Sequence, residues 1–280
     1  MEIKRKPNWL RIAVSQGSNF TKTFETILSS GVDTVCQNAK CPNRSDCWSR
    51  GTATFMILGG ICTRDCAFCA VGHGTPLAPN PDEPDAVANA VAKLALKCAV
   101  ITSATRDDIA DGGAEHWAKT VLAIRKKSPD TKIEILTPDF CGDKTALETV
   151  FKSRPDVFSH NVETVERLQK SIRKKADYQT SLGVLAAACK YGLRVKSSIM
   201  LGLGEAESEI ASCIEDIRKT GASMISIGQY LQPSKNHAPL SRWVEPDEFK
   251  YWGEFARQRG FDFVMSAPLV RSSYHADEAF

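Results

Sequence analysis

The chain has 280 residues, of which 42% are hydrophobic and 25% charged, and its formal net charge is +3. This length and composition suit a soluble protein with one sizeable core, and the small net charge gives no ground for predicting nucleic-acid binding. The sequence has no uninterrupted apolar run long enough to cross a membrane, and its N-terminus lacks the apolar segment of a secretory signal. We therefore expect a cytoplasmic protein without membrane contact.

A regular alternation of strands and helices is predicted from Thr54 onward, whereas the first 50 residues are expected to be irregular. Six short apolar segments, often rich in β-branched residues, are typical of buried parallel strands. They are residues 54–58, 98–102, 132–136, 156–160, 195–200 and 224–228. The intervening segments have the length and apolar stripe of helices. These helices are predicted at residues 85–96, 114–127, 144–153, 179–192 and 207–221.

Six consecutive strand–helix units predict a parallel sheet with right-handed crossovers. A closed eight-unit barrel needs about 200 residues or more, and the alternating strands and helices predicted here span only residues 54–228. We therefore predict an α/β fold, a partial (βα)6 TIM-type barrel at residues 51–265. Irregular extensions are expected at residues 1–50 and 266–280, and a doubly wound open sheet is the structural alternative. In either fold the active site is expected at the carboxyl ends of the strands.

Six of the ten cysteines fall between residues 36 and 69. In a reducing compartment, clustered thiols are more typical of metal sites than of disulfides. Cys62, Cys66 and Cys69, here called the first triplet, follow the first predicted strand with the spacing C-x3-C-x2-C. Three thiolates can hold three irons of a [4Fe–4S] cube and leave the fourth iron open for a ligand. A zinc site, including a binuclear one built from all six thiols, is the alternative.

The spacing of the first triplet, the aromatic Phe68 before its last cysteine and its position after the first strand resemble the signature of the radical S-adenosylmethionine (SAM) superfamily. That resemblance implies that the open iron binds SAM and that one electron cleaves it to a 5′-deoxyadenosyl radical. The cofactor supplies this chemistry, and the protein supplies placement and shielding. Phe68 is accordingly placed among the cofactor-binding residues.

Further SAM contacts are predicted at the same rim of the barrel. By the same resemblance, Asn161 and Glu163 are expected to help bind SAM, with helix capping as the alternative. Thr102 and Ser103 end the second predicted strand and could bond polar groups of SAM or cap the next segment. Arg173 is a candidate partner for the carboxylate of SAM, although it could also be a surface cation. Cys141 could lie near the site, whereas Cys98, Cys189 and Cys213 are expected to be buried small hydrophobes.

Cys36, Cys41 and Cys47, here called the second triplet, have the spacing C-x4-C-x5-C and indicate a second iron–sulfur cluster. The two spacings together resemble the lipoyl synthase family, and further similar segments run along nearly the whole chain. They include residues 6–11, 51–69, 106–117, 160–165, 199–205, 228–237 and 271–276. The resemblance implies that Ser273, or with less support Ser272, is the fourth ligand of the second cluster. The alternative for this segment is a tail whose arginine forms a salt bridge.

The resemblance also implies the activity: a sulfurtransferase of lipoate biosynthesis that inserts sulfur at C6 and C8 of a protein-bound octanoyl-lysine. The implied cofactors are two [4Fe–4S] clusters and SAM, with the second cluster as sulfur donor. The implied partners are an octanoylated lipoyl carrier domain or H protein and a low-potential electron donor. Two competing hypotheses are a radical SAM enzyme whose second cluster only passes electrons or binds substrate, and a zinc-dependent binding module.

Overall fold

The computed structural model describes residues 5–11, 17–50 and 52–280. Its main feature is an eight-stranded sheet. The strands of the described residues are β1 (Asp33–Thr34), β2 (Thr54–Ile57), β3 (Ile61–Cys62), β4 (Gly72–His73), β5 (Cys98–Ser103), β6 (Lys132–Leu136), β7 (Val157–Ser159), β8 (Val195–Leu201), β9 (Met224–Gln229) and β10 (Phe263–Ser266). The order in the eight-stranded sheet is β1-β2-β5-β6-β7-β8-β9-β10.

The pairing pattern is that of a partial barrel. Strand β1 pairs antiparallel with β2, and every later neighbour in the main sheet pairs in parallel. Within the described residues the edge strands β1 and β10 do not pair with each other, so the barrel stays open. The predicted fold class is confirmed. The structure adds a seventh parallel strand, β10, which pairs with β9 and was not predicted.

Helices pack around the sheet, and those that lie between its parallel strands form the crossover connections. They are α1 (Ser18–Ser30), α2 (Val35–Asn38), α3 (Arg44–Ser49), α4 (Glu83–Leu94), α5 (Ala114–Lys127), α6 (Lys144–Lys152), α7 (Gln169–Ile172), α8 (Tyr178–Lys190), α9 (Glu207–Lys219) and α10 (Pro246–Gln258). The predicted helices correspond to α4, α5, α6, α8 and α9. Gly192 and Gly221, which follow α8 and α9, have positive φ angles of 84° and 98°, the backbone that glycine adopts most easily.

The N-terminal extension is more regular than the sequence suggested, because α1, α2 and α3 lie within it. Phe20 of α1 packs against Trp48 of α3 with ring centroids 5.5 Å apart. Thr23 donates a hydrogen bond to the carbonyl of Trp48 at 3.1 Å. Ile27 and Trp48 belong to the main core, so burial against the barrel stabilises this helix. Among the described residues, no helix is long and apolar enough to cross a membrane.

Candidate active site

The first triplet lies on the loop that follows β2, at the carboxyl end of the parallel strands, where the sequence places it. Strands β3 and β4 pair across this loop and hold its two ends side by side. In its middle, the N–H of Ala67 donates to the carbonyl of Ile172 at 2.8 Å, and the carbonyl of Ala67 accepts from Ala238 at 2.7 Å. Phe68 packs against a small apolar cluster that includes Tyr230. Two later segments of the chain therefore fix the path of the loop.

The thiols of the first triplet are close enough to influence one another. Burial raises the pKa of Cys66, and it raises that of Cys69 to about 12. Neighbouring thiols of the triplet and the carboxylate of Glu163 contribute to both of these raised pKa values, while the guanidinium of Arg173 lowers that of Cys66. Because the thiolate is the metal ligand, binding of iron would displace these protons.

A buried arginine inside the loop ties the first triplet to two neighbouring strand ends. The guanidinium of Arg64 donates to both carboxylate oxygens of Asp107 at 2.8 Å and to those of Asp139 at 2.7 and 2.8 Å. Its backbone N–H contacts the sulfur of Cys62 at 3.4 Å, and its side chain contacts the sulfur of Cys141 at 3.3 Å. Cys141 therefore lies beside the site, as expected, although it is exposed.

Four polar atoms at successive strand ends are buried and have no hydrogen-bond partner within the described part of the chain. They are the hydroxyls of Ser103 and Thr137, the Nε2 of His160 and the Oδ1 of Asn161. Thr102 differs, because its hydroxyl donates to a backbone carbonyl of β6 at 3.0 Å. Buried polar groups are normally paired, so unpaired atoms on β5, β6 and β7 mark a place where a polar ligand would complete the hydrogen bonding.

Asn161 and Glu163 follow β7 and do not begin a helix, so the capping alternative fails. Glu163 forms an isolated parallel bridge with β8 and has a positive φ of 70°, a conformation that costs a non-glycine residue free energy. The amide of Asn161 donates to Glu163 Oε1 at 3.0 Å. Burial raises the pKa of the Glu163 carboxyl, while the charge of Arg173 and the Asn161 hydrogen bond oppose that rise.

Arg173 is buried and is not a surface cation. Its guanidinium donates to the carbonyl of Val162 at 3.1 Å and to the hydroxyl of Ser181 at 3.2 Å. Its charge acts on both Cys66 and Glu163. Arg173 thus supports the backbone after β7 and adds positive charge beside the first triplet.

The second triplet lies in a separate cavity, together with Ser273. Thr54, the first residue of β2, and Cys98, the first residue of β5, also line it, so the cavity is at the amino ends of these strands. The prediction of one site at the carboxyl ends therefore describes only the first triplet. Burial is the largest cause of a raised pKa at all three thiols, and thiols of the same triplet contribute to the rise at Cys36 and Cys47. The pKa of Cys47 is raised to about 12.

The structure distinguishes the two serines of the C-terminal segment. The hydroxyl of Ser273 accepts a hydrogen bond from Thr54 at 2.9 Å on the wall of the second cavity. The hydroxyl of Ser272 accepts from the amide of Asn161 at 2.7 Å, toward the first triplet. Arg271 lies between the two sites and donates to the carbonyl of Gln229 at 3.1 Å. Burial lowers the pKa of its guanidinium, and the charges of a second-triplet thiol and of Glu163 oppose this.

Contacts between the two extensions close the second cavity. The side-chain amide of Asn43 donates to the carbonyl of Leu269 at 2.6 Å. The hydroxyl of Tyr274 donates to Asp46 at 3.1 Å. Residues more than two hundred positions apart thus meet, and each of these contacts joins the second-triplet region to the segment that carries Ser273.

The donor sets suit iron–sulfur clusters. Each site has three thiols, and the second adds a hydroxyl on the same wall. Among the described residues, no three His, Cys, Asp or Glu side chains converge closely enough to hold a single metal ion. A [4Fe–4S] cube is larger than one ion and binds each thiolate at a different iron, so its ligands stand farther apart.

Sequence reasoning missed several residues of these sites. Thr137 and His160 have unpaired atoms beside the first triplet, and their position just after predicted strands was an available signal. Arg64 and Arg271 were also missed as functional candidates. Both arginines lie inside the cysteine and serine segments, but their partners come from distant parts of the chain and could not be identified from spacing.

Comparison with known proteins identifies the class. Residues 56–217 match the family model of the Radical SAM superfamily. The chain is similar to methylornithine synthase (PylB), with a TM-score of 0.56 and 12% identity over 76% of this chain and 70% of that one. It is also similar to HydG, a maturase of the [FeFe]-hydrogenase, with a TM-score of 0.62 and 12% identity over 89% and 64%. These structures support the fold alone. The chain is a member of the radical SAM superfamily, which implies a [4Fe–4S] cluster and SAM.

Curated relatives define the family more narrowly. The chain is 48% identical over 278 residues to the lipoyl synthase of Chlorobaculum parvum, and this alignment covers 99% of this chain and 95% of the relative. It is 48% identical over 281 residues to the lipoyl synthase of Alkaliphilus metalliredigens, covering 100% and 97%. The chain therefore belongs to the lipoyl synthase family and is a radical SAM enzyme that inserts sulfur.

Proposed function

We propose that this enzyme inserts sulfur at C6 and C8 of an octanoyl chain held on a lysine of a carrier protein, a lipoyl domain or an H protein. The main observation that supports this proposal is that the second triplet and Ser273 line one cavity, which is separate from the first triplet. A radical source alone needs only the first site. A second cluster site, closed by a hydroxyl ligand, supports an additional task, and we assign to it the supply of sulfur.

The first site would hold the cluster that binds SAM, and the residues around it divide the remaining work. The first triplet would hold three irons, while the unpaired atoms of Ser103 and Asn161 would offer hydrogen bonds to polar groups of SAM. Arg173 adds positive charge suited to a carboxylate. Each insertion would replace one C–H bond by one C–S bond. For each SAM cleaved to methionine, one electron from a low-potential donor would be consumed and the substrate hydrogen would leave in 5′-deoxyadenosine. An iron of the second cluster would accept the electron released when its sulfide bonds to carbon.

The second site would hold the sulfur donor through Cys36, Cys41, Cys47 and Ser273. A hydroxyl oxygen is a harder ligand than thiolate and an unusual partner for a soft iron–sulfur cluster. Such a bond should be easier to break, which suits a cluster that is consumed. The same donor set supports this proposal over a second cluster that only relays electrons, because a relay gains nothing from a labile ligand.

The proposal is tested by anaerobic reconstitution with an octanoyl-lysyl peptide, SAM and a chemical reductant, followed by mass spectrometry of the peptide. The wild type should form the lipoyl product and 5′-deoxyadenosine. Cys41→Ala should still cleave SAM but form no sulfur-containing peptide. Cys189→Ala, which alters a partly buried thiol outside both cavities, is the matched control and should behave as wild type. Lipoyl product from the Cys41→Ala variant would refute the role of the second site.

A further inference from the structure

The C-terminal segment contacts both thiol sites through adjacent residues. Ser273 faces the second cavity, where its hydroxyl accepts from Thr54 at 2.9 Å. Ser272 faces the first site, where its hydroxyl accepts from Asn161 at 2.7 Å. A turn makes this possible, since the N–H of Tyr274 donates to the carbonyl of Arg271 at 3.0 Å. One short segment thus forms part of the boundary between the two sites.

The hydrogen bond to Ser272 determines how the carboxamide of Asn161 is oriented. The Nδ2 atom has two hydrogens, and both are used: one goes to Ser272 Oγ and the other to Glu163 Oε1 at 3.0 Å. The opposite atom, Oδ1, is buried and has no partner among the described residues. With both N–H groups committed, the amide cannot rotate without losing a hydrogen bond. Oδ1 is therefore held as an acceptor for a donor group on a bound ligand.

The segment is also held firmly against the barrel. Gly228 of β9 lies so close that a Cβ atom there would be 2.1 Å from the carbonyl oxygen of Val270. On the other side, Asn43 donates to the carbonyl of Leu269. Contacts of the neighbouring residues with both β9 and the N-terminal extension thus fix the position of Ser272. Ser272 is therefore held in place as the hydrogen-bond acceptor of Asn161.

We propose that Ser272 is a positioning residue of the first site. Through Asn161 it makes SAM binding depend on the docked state of the segment that completes the second site. This inference rests on the proposed function in one respect, because it takes Asn161 as a residue that contacts SAM. By linkage, the coupling works in both directions: SAM binding stabilises the docked segment as much as the docked segment favours SAM.

The test measures SAM binding without turnover, by anaerobic calorimetry on the protein with its clusters assembled and no reductant. Loss of one neutral hydrogen bond costs about 1 kcal/mol, so Ser272→Ala should raise the dissociation constant of SAM by up to about fivefold. Ser272→Thr keeps the hydroxyl and should restore affinity. Ser153→Ala is the matched control, because Ser153 is a buried serine with one hydrogen bond, to the carbonyl of Val150, away from both sites. It should bind SAM as wild type does.

Comparison with Asn161→Ala separates this inference from the proposed function. If Asn161→Ala weakens SAM binding and the double variant Asn161→Ala/Ser272→Ala binds SAM no more weakly than Asn161→Ala alone, the two residues act together as proposed. If Asn161→Ala weakens binding and Ser272→Ala does not, the positioning role is refuted while the SAM site stands. If neither variant changes the affinity, the assignment of Asn161 as a SAM contact fails, and this inference fails with it.

Hydrogen–deuterium exchange offers an independent readout of the same coupling. Added SAM should slow exchange of backbone amides in residues 270–274 of the wild type, and this protection should be lost in Ser272→Ala. Equal exchange with and without SAM in the wild type would overturn the coupling. This measurement involves no catalysis and reports directly on the docked segment.

Discussion

Replacing Arg64 with alanine should destabilise the fold and loosen the loop that carries the first triplet. The guanidinium of Arg64 forms four charge-assisted hydrogen bonds to Asp107 and Asp139, and the side chains of Arg64 and Asp139 are 5% and 2% exposed. Burial alone would raise the pKa of Asp139, yet the hydrogen bonds and charge of Arg64 outweigh it and hold that pKa below its usual value. The variant would leave this carboxylate buried without a counter-ion.

Removing one partner of a buried ion pair costs about 3–5 kcal/mol. For a domain of this size each kcal/mol lowers the melting temperature by about 2–4 °C, so a decrease of roughly 10 °C is expected. Arg167→Ala is the matched control, since Arg167 forms a similar two-pronged pair with Glu209 but is 57% exposed. Exposed pairs contribute little to stability because water screens their charges, so that variant should melt within a few degrees of wild type.

Urea denaturation followed by tryptophan fluorescence, together with thermal melting, measures both variants. The difference in the free energy of unfolding between wild type and Arg64→Ala should become smaller as pH falls. A depressed carboxyl pKa gives the wild type stability that is present above the usual pKa of about 4 and is lost below it. In the variant the unpaired carboxyl can be protonated at a higher pH. Equal losses for the Arg64 and Arg167 variants, or a deficit that does not change with pH, would refute this reasoning.

Three further predictions follow from the two sites. The pKa of His160 is lowered to about 4 by burial and by the charge of Arg173, so the wild type should lose stability as pH falls from about 6.5 to about 4. His160→Asn should weaken this pH dependence of stability, and an unchanged dependence would show that His160 is not its source. Ser273→Ala should keep SAM cleavage but assemble the second cluster poorly, as measured by iron content and Mössbauer spectroscopy; normal lipoyl formation would exclude Ser273 as the ligand. Gly228→Ala should displace Val270 and lower iron retention at the second site, and full retention would show that the close contact is dispensable.

The first triplet could be predicted because its information is local. Cys62, Cys66 and Cys69 lie within one loop, and their spacing and place after β2 are visible in the sequence. Asn161 and Glu163 were also candidates from the sequence, because the family resemblance points to them and they lie just past a predicted strand. In contrast, the roles of Arg64 and Arg271 depend on partners that the chain brings together only after it folds.

The second site could be predicted in composition but not in position. Cys36 and Ser273 lie at opposite ends of the sequence, so their shared cavity at the amino ends of β2 and β5 depends on how both extensions pack. Helix α1 was missed although its sequence has an apolar stripe, and contacts of Phe20 and Ile27 with the rest of the fold stabilise it. Strand β10 was missed because it has only four residues, all half-buried, and thus a weak pattern.

The central claim, that the second site supplies the sulfur, is tested most directly by isotope tracing. The clusters would be reconstituted with heavy-isotope sulfide, free sulfide removed, and a single turnover run anaerobically with the octanoyl-lysyl peptide, SAM and unlabelled sulfide in the buffer. The lipoyl product should carry heavy sulfur at both positions, with iron lost from the second site. Product that contains only unlabelled sulfur, with both clusters intact, would contradict the account.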